Sequence, residues 1–396
     1  MIPRDYQDKY SDVALEILKK FFLVYFAWEE RTGKTLTAIL VVEKSAAESA
    51  LVVTKKGKPL KGWVDTLKAY NHKKKYEVIN YHSAHKIEGN FDIIILDEAH
   101  NYISSFPKPG LIWKQMGKIT KGKPIIYLSA TPHAQGPQML YHQFALSSWS
   151  PWKKFTNFYR WFNTYGKPYT LKIGGRDINQ YDRCHKDDIM KCVNHLFLSK
   201  TRRQLGFHHE PQDELHYINL DDKTKKQYNT IVEDEMVELP DMLLICDTKS
   251  KMRFSLHQLE GGTMKQDEKY IILENNEKID YILTHWGDDE SVVIMYNYVA
   301  EYDKLKKYFK KALLLQATKN AEGVELASYE HLIVYSQDFS TARHTQRRAR
   351  QASKDRDRPI LVHFLLVEGG LSDQVYRTVS KNKKNYVDSV FERTKL

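Results

Sequence analysis

The sequence predicts an α/β protein built as two successive lobes, each a mainly parallel sheet flanked by helices. Three observations carry this. Short apolar runs rich in β-branched residues read as strands buried on both faces, which is what a parallel sheet requires. Helix-length amphipathic segments alternate with them, as βα units demand. The pattern also occurs twice. In the first half the runs are FFLVYFA (21–27), ALVVT (50–54), YEVINY (76–81), DIIILDE (92–98) and PIIYLSA (124–130). In the second half they are VVIMYNY (292–298), ALLLQAT (312–318), HLIVYS (331–336) and ILVHFLLV (360–367). On this basis the first lobe is expected over 1–145, an insertion and linker over 146–260, and the second lobe over 261–396.

Within the insertion, Phe155, Phe158, Tyr159 and Phe162 fall at helical spacing. They read either as a helix packing its apolar face or as a base-stacking platform. YTLKIGGRDI sets Gly174 and Gly175 between two extended runs, a hairpin signal. The stretches 228–241 and 246–260 are expected to be helices leading into the second lobe.

The 396 residues are 42% hydrophobic and 28% charged, enough apolar material for more than one core. Lys and Arg outnumber Asp and Glu by 61 to 50, for a formal charge of +11. Such a surplus favours a polyanionic partner through attraction and counterion release. Cys184, Cys192 and Cys246 make no CxxC pair, which argues against a disulfide framework or a zinc finger and for a reduced, cytoplasmic setting. The opening MIPRDYQDKY lacks the apolar core of a signal peptide. No apolar run approaches the ~18 residues of a membrane span, so no membrane association is expected.

Four segments carry chemistry. AWEERTGKT (27–35) follows an apolar run and precedes a helical one, the setting of a phosphate-binding loop, although Trp28 stands where the general pattern has glycine. Backbone N–H groups of Arg31, Thr32 and Gly33 would face the anion, Lys34 would reach its phosphates, and the Thr35 hydroxyl would bind Mg2+. IIILDEAH ends a strand in Asp97 and Glu98, placing both carboxylates where α/β sites lie. Asp97 would hold the metal and Glu98 would polarise the attacking water. YLSATPH (127–133) offers Ser129 and Thr131 after a strand, either as a relay toward nucleic acid or as an ordinary strand-end turn. The segment 342–358, ARHTQRRARQASKDRDR, supplies guanidinium groups suited to developing phosphate charge, or simply a solvated basic face.

Taken together, these segments resemble superfamily 2 helicases of the DEAH-box kind, and more narrowly the Swi/Snf-type translocating ATPases. RDYQ resembles the Q motif, with Gln7 as adenine reader. ERTGKT resembles motif I, 50–63 motif Ia, INYHSAHK (79–86) motif Ib, DEAH motif II and SATP motif III. HLFLSKTRRQLGF (195–207) is similar to the family's linker, 292–305 to motif IV, NAEGVEL (320–326) to motif V with Gly323 and Glu325, and QRRARQ (346–351) to motif VI. The resemblance implies two RecA-like lobes, ATP and Mg2+ as cofactors, and a DNA translocase or helicase working on duplex, single-stranded or forked DNA, with RNA ranked second. It implies a monomer. Lys55, Lys56 and Lys58 beside motif Ia, together with Ser129, Thr131, Gly174 and Arg176, become candidate nucleic-acid contacts.

Three departures mark the chain. Arg31 replaces a usual glycine in motif I. Motif VI has two registers: anchoring on Gln346 makes Arg350 the first arginine finger, whereas anchoring on Arg-x-x-Arg makes Arg347 and Arg350 the pair. The stretch between Phe309 and Leu313 is short, an economy that resembles small phage-encoded members. The competing readings are an RNA helicase, a non-catalytic basic nucleic-acid-binding protein, and one subunit of a restriction or repair assembly.

Overall fold

The computed structural model describes residues 1–134, 136–173, 176–317, 324, 326–382 and 385–391, without the side chains of 173, 176, 342, 388 and 389. The chain divides into two compact units, Met1–Phe207 and His208–Leu396.

The first unit opens with helix α1 (Asp5–Phe21), whose buried stripe of Ala14, Leu15 and Leu18 packs on the sheet. It stops at Phe22, which turns left-handed at φ 57° while its N–H donates to Leu18 O. Then follow β1 (Leu23–Trp28), α2 (Lys34–Lys44), β2 (Ser49–Thr54), α3 (Lys58–Tyr70), β3 (Lys75–Asn80), β4 (Ile93–Asp97), α4 (Leu111–Ile119), β5 (Ile125–Leu128), α5 (Leu140–Ala145), α6 (Phe158–Tyr165), β6 (Tyr169–Ile173), β7 (Arg176–Gln180), α7 (Lys186–Val193) and β8 (Phe197–Lys200). The main sheet runs β3-β2-β4-β5-β1-β8 with every pairing parallel. All five apolar runs read from the sequence are strands of it. Because the strands are parallel, their carboxyl ends, and the loops that carry the candidate motifs, emerge along one edge.

The segment expected to be a separate insertion is not one body. Trp152, Phe158, Trp161, Phe162, Ile189 and Val193 join the first unit's core. Tyr159 stays 41% exposed. Sequestered rings cannot stack on bases, so the platform reading fails for Phe158 and Phe162. β6 and β7 form the expected hairpin, antiparallel with Leu171 opposite Ile178. Gly174 and Gly175 lie outside the described residues, as does the Arg176 side chain.

The second unit begins at β9 (Pro211–Ile218) and continues with α8 (Asp222–Asp234), β10 (Met236–Leu239), β11 (Met242–Ile245), α9 (Lys249–Leu259), β12 (Thr263–Gln266), β13 (Lys269–Ile272), α10 (Glu277–His285), β14 (Val292–Tyr296), α11 (Val299–Tyr308), β15 (Leu313–Gln316), β16 (His331–Val334), α12 (Thr341–Arg348), β17 (Ile360–Val367) and α13 (Leu371–Tyr376). Its sheet runs β15-β14-β16-β17-β9, again parallel throughout. The expected helix over 228–241 is half right. α8 ends at Asp234, Glu235 turns left-handed, and MVEL pairs with MLLI as a hairpin. In β10 Val237 and Leu239 alternate inward against exposed neighbours, a period of two that a helix cannot use.

Candidate nucleotide-binding site

The site is built where β1 stops. The chain leaves the sheet at Trp28 and re-enters helix at Lys34, with Arg31 at φ 64° and Gly33 at φ 78° making the reversal. Gly33 is the N-cap of α2 and brings no side chain to bond its first N–H groups, the groups that suit an anion at a helix start. A Cβ at Gly33 would lie 2.3 Å from Gln7 Nε2. Conformation therefore favours glycine here, and a side chain would also have to displace the end of the Gln7 carboxamide.

Gln7 is buried with its carboxamide spent on the chain itself. Nε2 donates to Gly33 O at 3.1 Å, and Oε1 accepts from Arg4 N–H at 2.9 Å. Tyr6 OH donates to Thr32 O at 3.0 Å, and Thr32 Oγ1 to Glu29 O at 2.7 Å. In this conformation the start of α1 therefore holds the phosphate loop in shape.

Lys34 Nζ donates to Trp28 O at 2.8 Å and to Glu29 O at 2.9 Å, folded back onto the loop that precedes it. Burial lowers its pKa, and the negative charges of Glu98, Glu30 and Asp97 oppose that. The ammonium and these carboxylates therefore lie within electrostatic reach of one another at the sheet edge. Thr35 follows in the first turn of α2, half-buried.

Asp97 ends β4. Its Oδ2 accepts from Thr54 Oγ1 at 2.8 Å, at the end of β2, and from Trp63 Nε1 at 2.9 Å, on α3. Burial raises its pKa, while these two donors and the Lys34 charge pull it back toward the ionised form. Both of these side-chain bonds fall on Oδ2, and the Glu98 backbone N–H adds a further bond to the carboxylate. Glu98 adopts the left-handed conformation at φ 51°, uncommon for a residue with a side chain and typical of functional turns. Its Oε2 lies 3.4 Å from His100 Nδ1.

His100 links the two carboxylate-bearing turns to the next strand. Nδ1 is 2.8 Å from Ser129 Oγ, and Nε2 is 3.4 Å from Thr131 Oγ1. Burial, with the Lys34 charge adding to it, brings the His100 pKa down to about 4, so the ring is neutral at neutral pH. Ser129 is fully buried, and this corrects its expected role: a hydroxyl closed off beside His100 cannot touch a nucleic acid. It belongs to a chain of side-chain contacts from Glu98 through His100 to Thr131. After β2, Lys55 is half-buried and Lys56 exposed in the loop, and Lys58 is exposed at the start of α3, on the same edge of the sheet.

Sequence reasoning missed three contributors. Trp63 and Thr54 are donors to Asp97 from distant points of the chain. Arg202, buried at the end of β8, clasps the phosphate loop. Its N–H donates to Glu29 Oε2 at 2.7 Å, and its guanidinium lies 3.7 Å from Glu29 Oε2 and 3.7 Å from Glu30 Oε2. Glu29 N–H in turn donates to Lys200 O at 3.1 Å. The pair of arginines in 195–207 was visible in the sequence, but not its target.

In the second unit, Arg347 is buried on α12. It donates through NH2 to Asn297 Oδ1 at 2.7 Å and to Asp338 Oδ2 at 3.1 Å, and burial brings its pKa down to about 10. A guanidinium so enclosed and neutralised braces the ends of β14 and β16. Arg350, one turn further, is half-buried. Gly323 and Glu325 lie outside the described residues. Among the described residues no helix is long and apolar enough to cross a membrane.

No protein-family model matches the chain, and no curated protein matches it in sequence. Among solved structures it is similar to an ATP-dependent Type ISP restriction-modification enzyme, LlaBIII, bound to DNA, at 12% identity and a TM-score of 0.48. The match covers 93% of this chain and 28% of that one, so the chain spans under a third of that protein's length. A likeness at this level assigns no activity.

Proposed function

We propose that this protein is a DNA-stimulated ATPase of the superfamily 2 helicase kind, coupling Mg-ATP hydrolysis to movement along DNA. The observation that carries the reading is the meeting of Lys34, Asp97 and Glu98 at the carboxyl edge of a parallel sheet, beside a helix N-terminus without a side-chain cap. The donor set suits the ligand. Helix-start N–H groups and an ammonium complement phosphates, while a carboxylate and a hydroxyl, Asp97 and Thr35, complement a hard cation.

Mg2+ bound there would neutralise charge on the β- and γ-phosphates during in-line attack by water. Lys34 must release the carbonyls of Trp28 and Glu29 to reach those phosphates. Arg202 holds the Glu29 and Glu30 carboxylates aside, which keeps two negative charges of the loop from opposing the anion. Glu98 orients the attacking water. Through His100 its position is transmitted to Ser129 and Thr131. We assign Arg350 as the guanidinium that stabilises the transferred phosphoryl group, and Arg347 as its structural brace.

The test is the ATPase rate against duplex DNA, single-stranded DNA and RNA at two salt concentrations. The reading expects strongest stimulation by DNA, weakening as salt rises, because contacts to phosphates release counterions. Stimulation by RNA alone would move the protein to the RNA-helicase alternative. Hydrolysis indifferent to every polynucleotide would remove the motor reading.

A further inference from the structure

The second unit gathers imidazoles and a carboxylate that nucleotide chemistry does not use. β9 and β17 pair in register with Glu214 opposite His363. Glu214 and His216 are two residues apart on a strand and so project to the same face. On that face Glu214 Oε2 lies 3.1 Å from His363 Nδ1 and 4.0 Å from His216 Nε2, and the two nitrogens are 3.1 Å apart. A triangle with those sides has a circumradius of about 2.0 Å, which matches Zn–N and Zn–O bond lengths of ~2.0–2.2 Å.

Hydrogen bonding accounts for the cluster less well. His363 Nδ1 makes both short contacts, yet a neutral ring nitrogen is either a donor or an acceptor. One proton there would have to serve a carboxylate and a second imidazole at once, whereas a cation at the centre serves all three. The outward nitrogens are already occupied: His216 Nδ1 lies 3.0 Å from Tyr281 OH, and His363 Nε2 lies 3.3 Å from His331 Nδ1. Such outer partners fix which nitrogen of a ligating histidine faces the metal. The Trp286 ring, centred 4.7 Å from that of His363, closes one side, while the Glu214 side chain is 44% exposed on the other.

We propose that Glu214, His216 and His363 bind a divalent transition-metal ion of the Zn2+ class, with water completing the shell on the solvent side. The ion ties the edge strand β9 to β17 and steadies the second unit. Imidazole and carboxylate suit Zn2+ over Ca2+ or Mg2+, which take oxygen.

The full chain, stripped with a chelator and titrated with Co2+, reads the site directly. One equivalent should bind with the intense visible bands of a low-coordinate Co2+ centre, and Zn2+ should displace it and raise the unfolding midpoint. Glu214→Gln, exposed and nearly isosteric, should weaken binding by more than about 100-fold, and Tyr281→Phe by roughly 10–100-fold, the range for an outer-shell partner. Asp97→Asn, far along the chain in the other unit, should leave the Co2+ bands unchanged. A chain that takes up no Co2+ and no Zn2+, or whose bands survive Glu214→Gln at full strength, overturns the proposal and leaves a hydrogen-bonded histidine ladder.

Discussion

Asp97 owes its state to two side chains whose target the sequence does not reveal. Trp63 and Thr54 both donate to Oδ2 and oppose the burial that would otherwise protonate it. A hydrogen bond to a charged group is worth ~1.5–3 kcal/mol, about one to two pH units. Trp63→Phe should therefore raise the Asp97 pKa and shift the acidic limb of the ATPase pH profile upward, with the plateau rate largely kept. An unchanged limb would show that Trp63 only packs. Arg202→Ala should raise KM for ATP more than it lowers kcat, because it frees Glu29 and Glu30 to face the phosphates. Equal losses in both would mean general collapse of the loop. That Lys34, Asp97 and Glu98 would come together at the sheet edge was legible, because their spacing from strand ends is itself the signal. Trp63 and Arg202 were not, since the groups they serve lie 34 and 173 residues away along the chain. Ser129 was legible as a special position but misread as a contact, because sequence does not report that its hydroxyl is enclosed by His100.

The phosphate loop is an element whose shape depends on one glycine. Gly33→Ala places a side chain at φ 78° at a cost of ~1–2 kcal/mol, and its Cβ would sit 2.3 Å from Gln7 Nε2. The variant should lose nucleotide binding and lower the urea midpoint of the first unit. Retention of both would mean that Gln7 and the loop move apart freely. Elements with continuous apolar character, from β1 to β5 and from β14 to β17, were read directly from the sequence. β9 was missed because PQDELHYI mixes polar and apolar residues, as an edge strand half open to solvent does. β8 was taken for linker because its four residues, FLSK, are too short to declare a period. The helix expected through 236–241 failed because helix propensity in EDEMVEL competes with an alternation that pairs MVEL with MLLI.

For the whole molecule, charge and buried histidines set the response to solution conditions. Burial brings His100 and His142 in the first unit, and His344 in the second, to about 4, and His257 to about 3. Their folded pKa values lie below the unfolded value near 6.5, so the unfolded chain binds more protons between the two. This contribution to stability is complete above about pH 6.5 and is lost as pH falls toward 4, on the order of 3 kcal/mol for each ring. Unfolding midpoints should therefore drop steeply from pH 7 to pH 5. A flat profile over that window would mean that the rings are protonated in place. The division into two parallel-sheet units was legible from the repeated strand pattern. The boundary at 207/208 was not, because the aromatic segment after Pro132 looks like an insertion and packs as core.

The central claim is that the site of Lys34, Asp97 and Glu98 splits ATP when DNA is bound. Phosphate release by the wild-type chain and by Glu98→Gln, each with Mg-ATP and saturating duplex DNA, tests it. The account predicts DNA-stimulated turnover in the first and a loss of about 10²–10⁴-fold in the second, with ATP binding retained. Equal rates in the two proteins, or no phosphate released by either, would contradict it.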